Sequence, residues 1–227
     1  GLFTVLFANA VEQSREGLRG QSKAFLRIVM ALSGLWAAGI VGFAGMTVPP
    51  LAPDRETRTQ ALLESFEERI LVLDGATGTA LQAYQLSAAD FGGADLEGCN
   101  ENLCRTRPDV VRGVSEGYLA AGADVVETNS FGATPLVLAE YGLAAEAHEL
   151  NRLAAALARE ACAKFERPER LRFVAGSMGP TTRAISVTGG VTFEQLADNF
   201  RVQALGLMAG GADYLLLETC QDTRNVK

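Results

Sequence analysis

From residue 57 onward the apolar positions alternate between two spacings. Thr57 to Arg69 places Leu62, Leu63 and Phe66 on one face with charges opposite, the pattern of an amphipathic helix. ILVLD at 70–74 then runs continuously apolar into a carboxylate and a glycine, as a parallel strand covered on both faces does. A helix is expected to open at Pro108, a favourable first-turn residue, and to continue through Tyr118 and Leu119. ADVVETN at 123–129 reads as the second strand. After it, Leu143, Ala147, Leu150, Ala154, Leu157 and Ala161 recur at three and four, one apolar stripe of a long helix. RFVAGSM at 172–178 reads as the third strand. Thr192 with Gln195 forms a capping-box start for a helix to Met208, and YLLLET at 214–219 reads as the fourth strand.

Four rounds of strand and helix imply a parallel sheet with right-handed crossovers. An internal echo supports the repetition: GADVVET at 122–128 and GADYLLLET at 211–219 both pass from a glycine into an apolar strand ending in glutamate and threonine. In such sheets the loops at the carboxyl ends of the strands open on one face, where substrate groups converge. The polar residues expected there are Asp74, then Glu127, Thr128 and Asn129, then Gly176 and Ser177, and finally Glu218 and Thr219. Carboxylates beside glycine-rich backbone suit an amino acid, the acids taking its ammonium and free N–H groups its carboxylate. The competing structural reading pairs these acids with Arg183 and Arg224 or makes them helix caps, and on the residues alone the two stand about level.

The first fifty residues do not share this pattern. From Ile28 to Met46 there are 19 residues without a charge, about a bilayer-crossing length, preceded by Arg15, Arg19, Lys23 and Arg27. The run is followed by VPPLAP at 48–53. An anchor or signal segment and an extension without function, 1–55, are both consistent with it, and a membrane role is the less favoured. The domain proper is then 56–227.

Charge and chemistry narrow the classes. The chain of 227 residues has a net charge of −7. Residues 1–53 hold four basic and two acidic side chains, so the remainder carries 16 basic against 25 acidic, near −9. An acidic body without a basic run argues against nucleic-acid binding and for a small-molecule substrate. Cys99, Cys104, Cys162 and Cys220 are too scattered for a secreted disulfide framework, and we read them as reduced thiols of a cytoplasmic protein. Cys99 and Cys104 lack partners to complete a metal site. The sole histidine, His148, sits mid-helix and fits a surface or packing role better than a catalytic triad. DGATGT at 74–79 resembles a phosphate-cradling turn only weakly, having neither dinucleotide nor P-loop spacing.

The segments ILVLDGATGT, GADVVETNSFGAT, FVAGSMGPTTRAISVTGGVTFEQL and GGADYLLLETCQDTRN, in this order, resemble the homocysteine-binding module of cobalamin-dependent methionine synthase over residues 60–227. The resemblance implies an eight-stranded (β/α) TIM barrel, of which about the first four βα units are present. It implies homocysteine held at the strand ends, its thiolate on zinc, and a methyl group arriving from methylcobalamin recharged by methyltetrahydrofolate on downstream folate- and cobalamin-binding domains. The amine ligands carry over to Asp74 and Glu218, and the substrate-lining positions to Gly75, Ala76, Thr128, Asn129, Ser177 and Met178. The family's zinc-binding cysteines lie in later GxNC and GGCC segments that this chain lacks, and Cys220 matches a position that does not bind zinc, so no metal ligand and no catalytic residue is assigned. Ala76 stands where many relatives have glycine. The same chemistry leaves open a cobalamin-independent transferase using betaine or S-methylmethionine. From other classes come a non-catalytic binding module tethered through 28–46 and a phosphate-binding barrel.

Overall fold

The structure, a computed structural model, describes residues 54–167, 169–185 and 189–220, so the apolar run at 28–46 and Arg224 lie outside the described residues. Among the described residues no helix is long and apolar enough to cross a membrane. The long helices are α1 (Asp54–Glu68), α2 (Pro108–Ala121), α3 (Ala147–Phe165) and α4 (Phe193–Gly210). The strands β1 (Val125–Glu127), β2 (Phe173–Met178) and β3 (Tyr214–Leu217) form one parallel sheet in that order.

The helix starts follow from their first residues. Pro108 occupies the first turn of α2, where its missing N–H costs nothing. The Thr192 hydroxyl accepts from the Gln195 N–H while the Gln195 side chain accepts from the Thr192 N–H, which closes the expected capping box at α4. The stripe on α3 is buried from Ala147 through Leu150, Ala154, Leu157 and Ala161, whereas Leu143 precedes the helix, at the entry to a short 3-10 turn. His148 is an exposed residue of α3.

Alternation along the strands divides the core in two. Val126, Val174 and Met178 point to the helix side, where they pack with Leu119 of α2, Ala155 and Ala158 of α3, and Phe200 and Leu207 of α4. Val125, Phe173, Ala175, Tyr214 and Leu216 point the other way, onto Leu62 and Phe66 of α1. Helices α3 and α4 approach closely because α4 presents glycine at the contact. A Cβ on Gly206 would come within 2.4 Å of the His148 carbonyl oxygen, and one on Gly210 within 2.2 Å of that of Arg152.

One strand departs from expectation. ILVLD at 70–74 makes only a single parallel bridge, Leu73 to Val125, and it is not covered on both faces. Ile70 and Val72 are 64% and 54% exposed. The segment has β1 on one side and no described strand on the other, so an apolar run that reads as a buried strand is here an edge.

Candidate functional site

Strands β1 and β3 each have an acid at both ends, Asp124 and Glu127 on one, Asp213 and Glu218 on the other, and the two ends are built differently. At the amino ends, Asp124 and Asp213 follow the glycine and alanine of the two echoed motifs. The Asp124 carboxylate accepts from Arg69 at 2.7 and 3.0 Å, from Arg170 at 2.9 Å, from Arg172 at 3.1 Å, and from the Val72 N–H at 3.0 Å. Asp213 takes Arg58 at 2.9 Å, Arg159, and the Val174 N–H at 2.7 Å. Burial works against the ionised form of Asp124, but Arg69, the Val72 amide and Arg170 outweigh it and bring its pKa down to about 2.

At the carboxyl ends no ion pair among the described residues reaches the acids. Asp74 accepts from the Glu127 N–H at 3.0 and 3.1 Å, which fixes its carboxylate against β1. Burial, then the charge of Glu127, push the Asp74 pKa up to about 8, and Glu218 adds to this. Burial and then Glu218 push Glu127 up to about 7. Tyr214, in register with Ala175 and so with Glu127 across the sheet, is also raised, by burial and then by Glu127 and Asp74. Among the described residues no ion pair reaches Asp74, Glu127 or Glu218, and Arg183 is exposed, so the arginine-paired reading of these carboxylates does not hold within that set.

The Ser177 hydroxyl donates to Glu218 Oε1, which brings β2 and the end of β3 together. The remaining sequence-derived positions fall around this group in different ways. Gly75 and Ala76 are exposed in the turn after Asp74, with Ala76 capping the short helix Thr77–Gln82. The Thr128 hydroxyl is buried and accepts from the Ser177 N–H at 2.9 Å. Asn129 turns away, its amide donating to the Asn100 carbonyl at 2.7 Å. Met178 differs from its neighbour: successive residues of a strand face opposite sides, so its side chain lies in the helix-side core while Ser177 faces the carboxylates.

Tyr214 and Ser130 are the members that the sequence reading did not name, and Glu127 was named at the strand end but not carried over as an amine ligand. Glu127 was legible as a strand-end acid, and its two-residue spacing from inward-facing Val125 was the signal for its direction. The rim is closed by Phe131, whose ring lies where a Cβ on Gly179 would sit, at 2.6 Å, and whose carbonyl accepts from the Gly179 N–H at 3.0 Å.

The thiols do not make a metal centre. Cys99, Cys104 and Cys162 are buried, and burial pushes Cys104 up to about 12, so the thiolate is disfavoured. The Cys220 thiol donates to the Glu218 carbonyl at 3.4 Å. No group of three His, Cys, Asp or Glu side chains among the described residues is arranged to hold a metal ion, so these residues do not fit a zinc site.

With that geometry in place, the comparisons decide the family. A profile described as homocysteine S-methyltransferase matches residues 71–227. The chain belongs to the homocysteine S-methyltransferase family. Within it, the chain is 42% identical over 176 residues to the methionine synthase of Mycobacterium tuberculosis, a match covering 78% of this chain and 14% of that protein. It is 42% identical over 166 residues to the methionine synthase of Mycobacterium leprae, covering 73% and 14%. Among solved structures it resembles the metallated form of the homocysteine methyltransferase MmuM from Escherichia coli, with a TM-score of 0.60, 28% identity and coverage of 74% of this chain and 59% of that one. The oxidised form gives a TM-score of 0.59. The chain thus spans about a seventh of the curated methionine synthases it matches. The α/β fold of this homocysteine S-methyltransferase chain, with its helix-rich parallel sheet, is consistent with part of a barrel.

Proposed function

We propose that residues 56–227 are the amine-clasping half of a methionine synthase's homocysteine-binding domain, four of the eight units of a closed (β/α) barrel. The supporting observation is the gathering of Asp74, Glu127 and Glu218 at one end of the sheet with no ion-pair partner among the described residues. Desolvated carboxylates without a counter-charge favour an incoming ammonium, because it restores the pairing that the protein withholds. The carboxylate of the amino acid then falls to the exposed backbone of Gly75 and Ala76. The exposed edge at Ile70, Val72 and Leu73 is where a further strand of the barrel pairs.

In the whole protein, zinc bound by later segments turns the homocysteine thiol into thiolate at neutral pH, and methylcobalamin, recharged by methyltetrahydrofolate, supplies the methyl group. This chain binds and orients the amino acid and supplies no zinc ligand. The methionine synthase reading is favoured within the family because identity to the methionine synthases, 42%, exceeds the 28% to the E. coli homocysteine methyltransferase. The four free thiols fit a cytoplasmic setting.

Calorimetry tests the reading. The chain is expected to bind L-homocysteine weakly, with no response to zinc or chelator, and Asp74→Asn is expected to lower that affinity about tenfold. Tight, chelator-sensitive binding, or an unchanged Asp74→Asn, overturns it.

A further inference from the structure

Glu218 lies just past the end of β3, and what fixes its direction is not on its own strand. Its carboxylate accepts from the Ser177 hydroxyl. The Ser177 peptide is held on both sides by two other hydroxyls. Its N–H donates to Thr128 Oγ1 at 2.9 Å, its carbonyl accepts from Ser130 Oγ at 2.8 Å, and the two hydroxyl oxygens are 2.6 Å apart. A serine hydroxyl has one hydrogen, and that of Ser130 is committed to the Ser177 carbonyl. Thr128 must therefore donate to Ser130. The result is a closed circuit with one sense: Ser177 N–H to Thr128, Thr128 to Ser130, and Ser130 back to the Ser177 carbonyl.

The circuit is anchored from outside the sheet. Ser130, Thr128 and Ser177 are at most 3% exposed. The Gln203 amide of α4, fully buried, donates to the Ser130 carbonyl at 2.7 Å. Two further buried amides hold the same loop: Asn151 of α3 donates to the Ala133 carbonyl at 2.6 Å, and Asn199 of α4 accepts from the Leu136 N–H at 2.8 Å. Three buried amides on two helices, each committed to main chain within seven residues of one loop, are costly for a segment that only connects a strand to a helix.

We infer that Ser130 is a positioning residue: with Thr128 it locks the Ser177 peptide so that the Ser177 hydroxyl aims the Glu218 carboxylate at the substrate amine, and Gln203 anchors this circuit. The inference rests on the amine-clasping reading and deepens it. Ser130 touches no substrate. It acts on the affinity for one functional group, the ammonium, and not on the thiol or the carboxylate of the ligand.

The test uses this chain and two ligands, L-homocysteine and γ-mercaptobutyrate, which differ only in the amine. Ser130→Ala leaves a small void and removes the closing donor, and Ser130→Thr restores the hydroxyl. The expected result is a roughly tenfold loss of L-homocysteine affinity in Ser130→Ala, no change for γ-mercaptobutyrate, and recovery in Ser130→Thr. Equal losses for both ligands, or none for either, overturn the inference. Hydrogen exchange at the Ser177 amide is measured alongside: it accelerates at least about tenfold in Ser130→Ala if the circuit exists and stays as in the parent chain if it does not. If the unaltered chain fails to distinguish the two ligands, the amine-clasping reading fails, and the exchange result alone decides the circuit.

Discussion

Asp124, just before β1, and Glu127, at its end, lie three residues apart, yet the protein treats them in opposite ways. Asp124, like Asp213, is enclosed by arginines and by an N–H of the neighbouring strand. Glu127, like Asp74, is desolvated beside other acids and has no ion-pair partner among the described residues. The supply of arginine is not limiting, since Arg58, Arg69, Arg159, Arg170 and Arg172 all serve the amino end. One end of the sheet is held by ion pairs, and under the proposed function the other is where a ligand's ammonium supplies the charge that the described residues do not. This is the division of labour expected of parallel βα architectures, stability below and chemistry above.

The largest effect should come from breaking the stable end. Asp124→Asn leaves buried Arg172, along with Arg69 and Arg170, facing a neutral amide. Removing one partner of a buried charge cluster costs on the order of 3–5 kcal/mol. Urea denaturation should show that loss in the midpoint. A shift below about 1 kcal/mol, the range of exposed pairs, makes the arginine cage ornamental.

The same substitution at the other end should act with the opposite sign. The pKa of Asp74 is raised from 3.8 to about 8, so folding holds its proton more tightly than unfolding does. Its contribution to stability is fully present below pH 3.8 and is lost as pH rises through about 8. Asp124, lowered from 3.8 to about 2, contributes above pH 3.8 and loses that contribution as pH falls through about 2. Asp74→Asn should therefore stabilise the chain at pH 8, on the order of 1 kcal/mol, while weakening ligand binding. If it destabilises at pH 8, Asp74 has a structural partner and the contrast between the two ends disappears.

How much of this could be read from residues alone differs between the ends. The helices α2, α3 and α4 were legible because proline, capping-box and stripe signals are local. The echo GAD…ET held both ends of the comparison at once, aspartate below and glutamate above, but sequence cannot say which acid meets arginine, because Arg58 and Asp213 are 155 residues apart. ILVLD misled because apolarity marks a strand without saying how many neighbours it has. Met178 was named beside Ser177, and strand alternation turns the two side chains to opposite faces. Gln203, Asn151 and Asn199 were invisible as a set, since a polar residue in a helical stripe announces neither burial nor a carbonyl 73 residues away, as Gln203 has.

Binding should depend on pH in a way only the upper end explains. An ammonium is clasped by ionised carboxylates, and those of Asp74 and Glu127, at about 8 and about 7, still carry protons near neutrality. L-homocysteine affinity should rise several-fold, roughly three to ten, between pH 6 and pH 8, with protons released on binding. Calorimetry in buffers of different ionisation enthalpy reads that release directly. Flat affinity with no proton release means the two acids are ionised throughout and the site is more solvated than its geometry indicates.

The smallest effect concerns backbone strain, which also separates the ends. Thr219, directly after Glu218, has φ 55, and the other non-glycine residue with positive φ among the described residues is Gln85, in the loop after the short helix Thr77–Gln82. A β-branched residue is strained there because its Cβ crowds its own carbonyl region, at a cost of order 1 kcal/mol. Glycine adopts the same φ without that cost but loosens the unfolded chain. The net expectation for Thr219→Gly is a gain of a few tenths of a kcal/mol in stability. It should come with an approximately twofold loss of L-homocysteine affinity, because Glu218 loses a neighbour that restricts its backbone. Matching positions at the amino end, Ala123 beside Asp124 and Ala212 beside Asp213, are not among the residues with positive φ and hold no strain to release. Should Thr219→Gly stabilise with affinity intact, the strain is incidental to the site, and the asymmetry between the ends is one of charge alone.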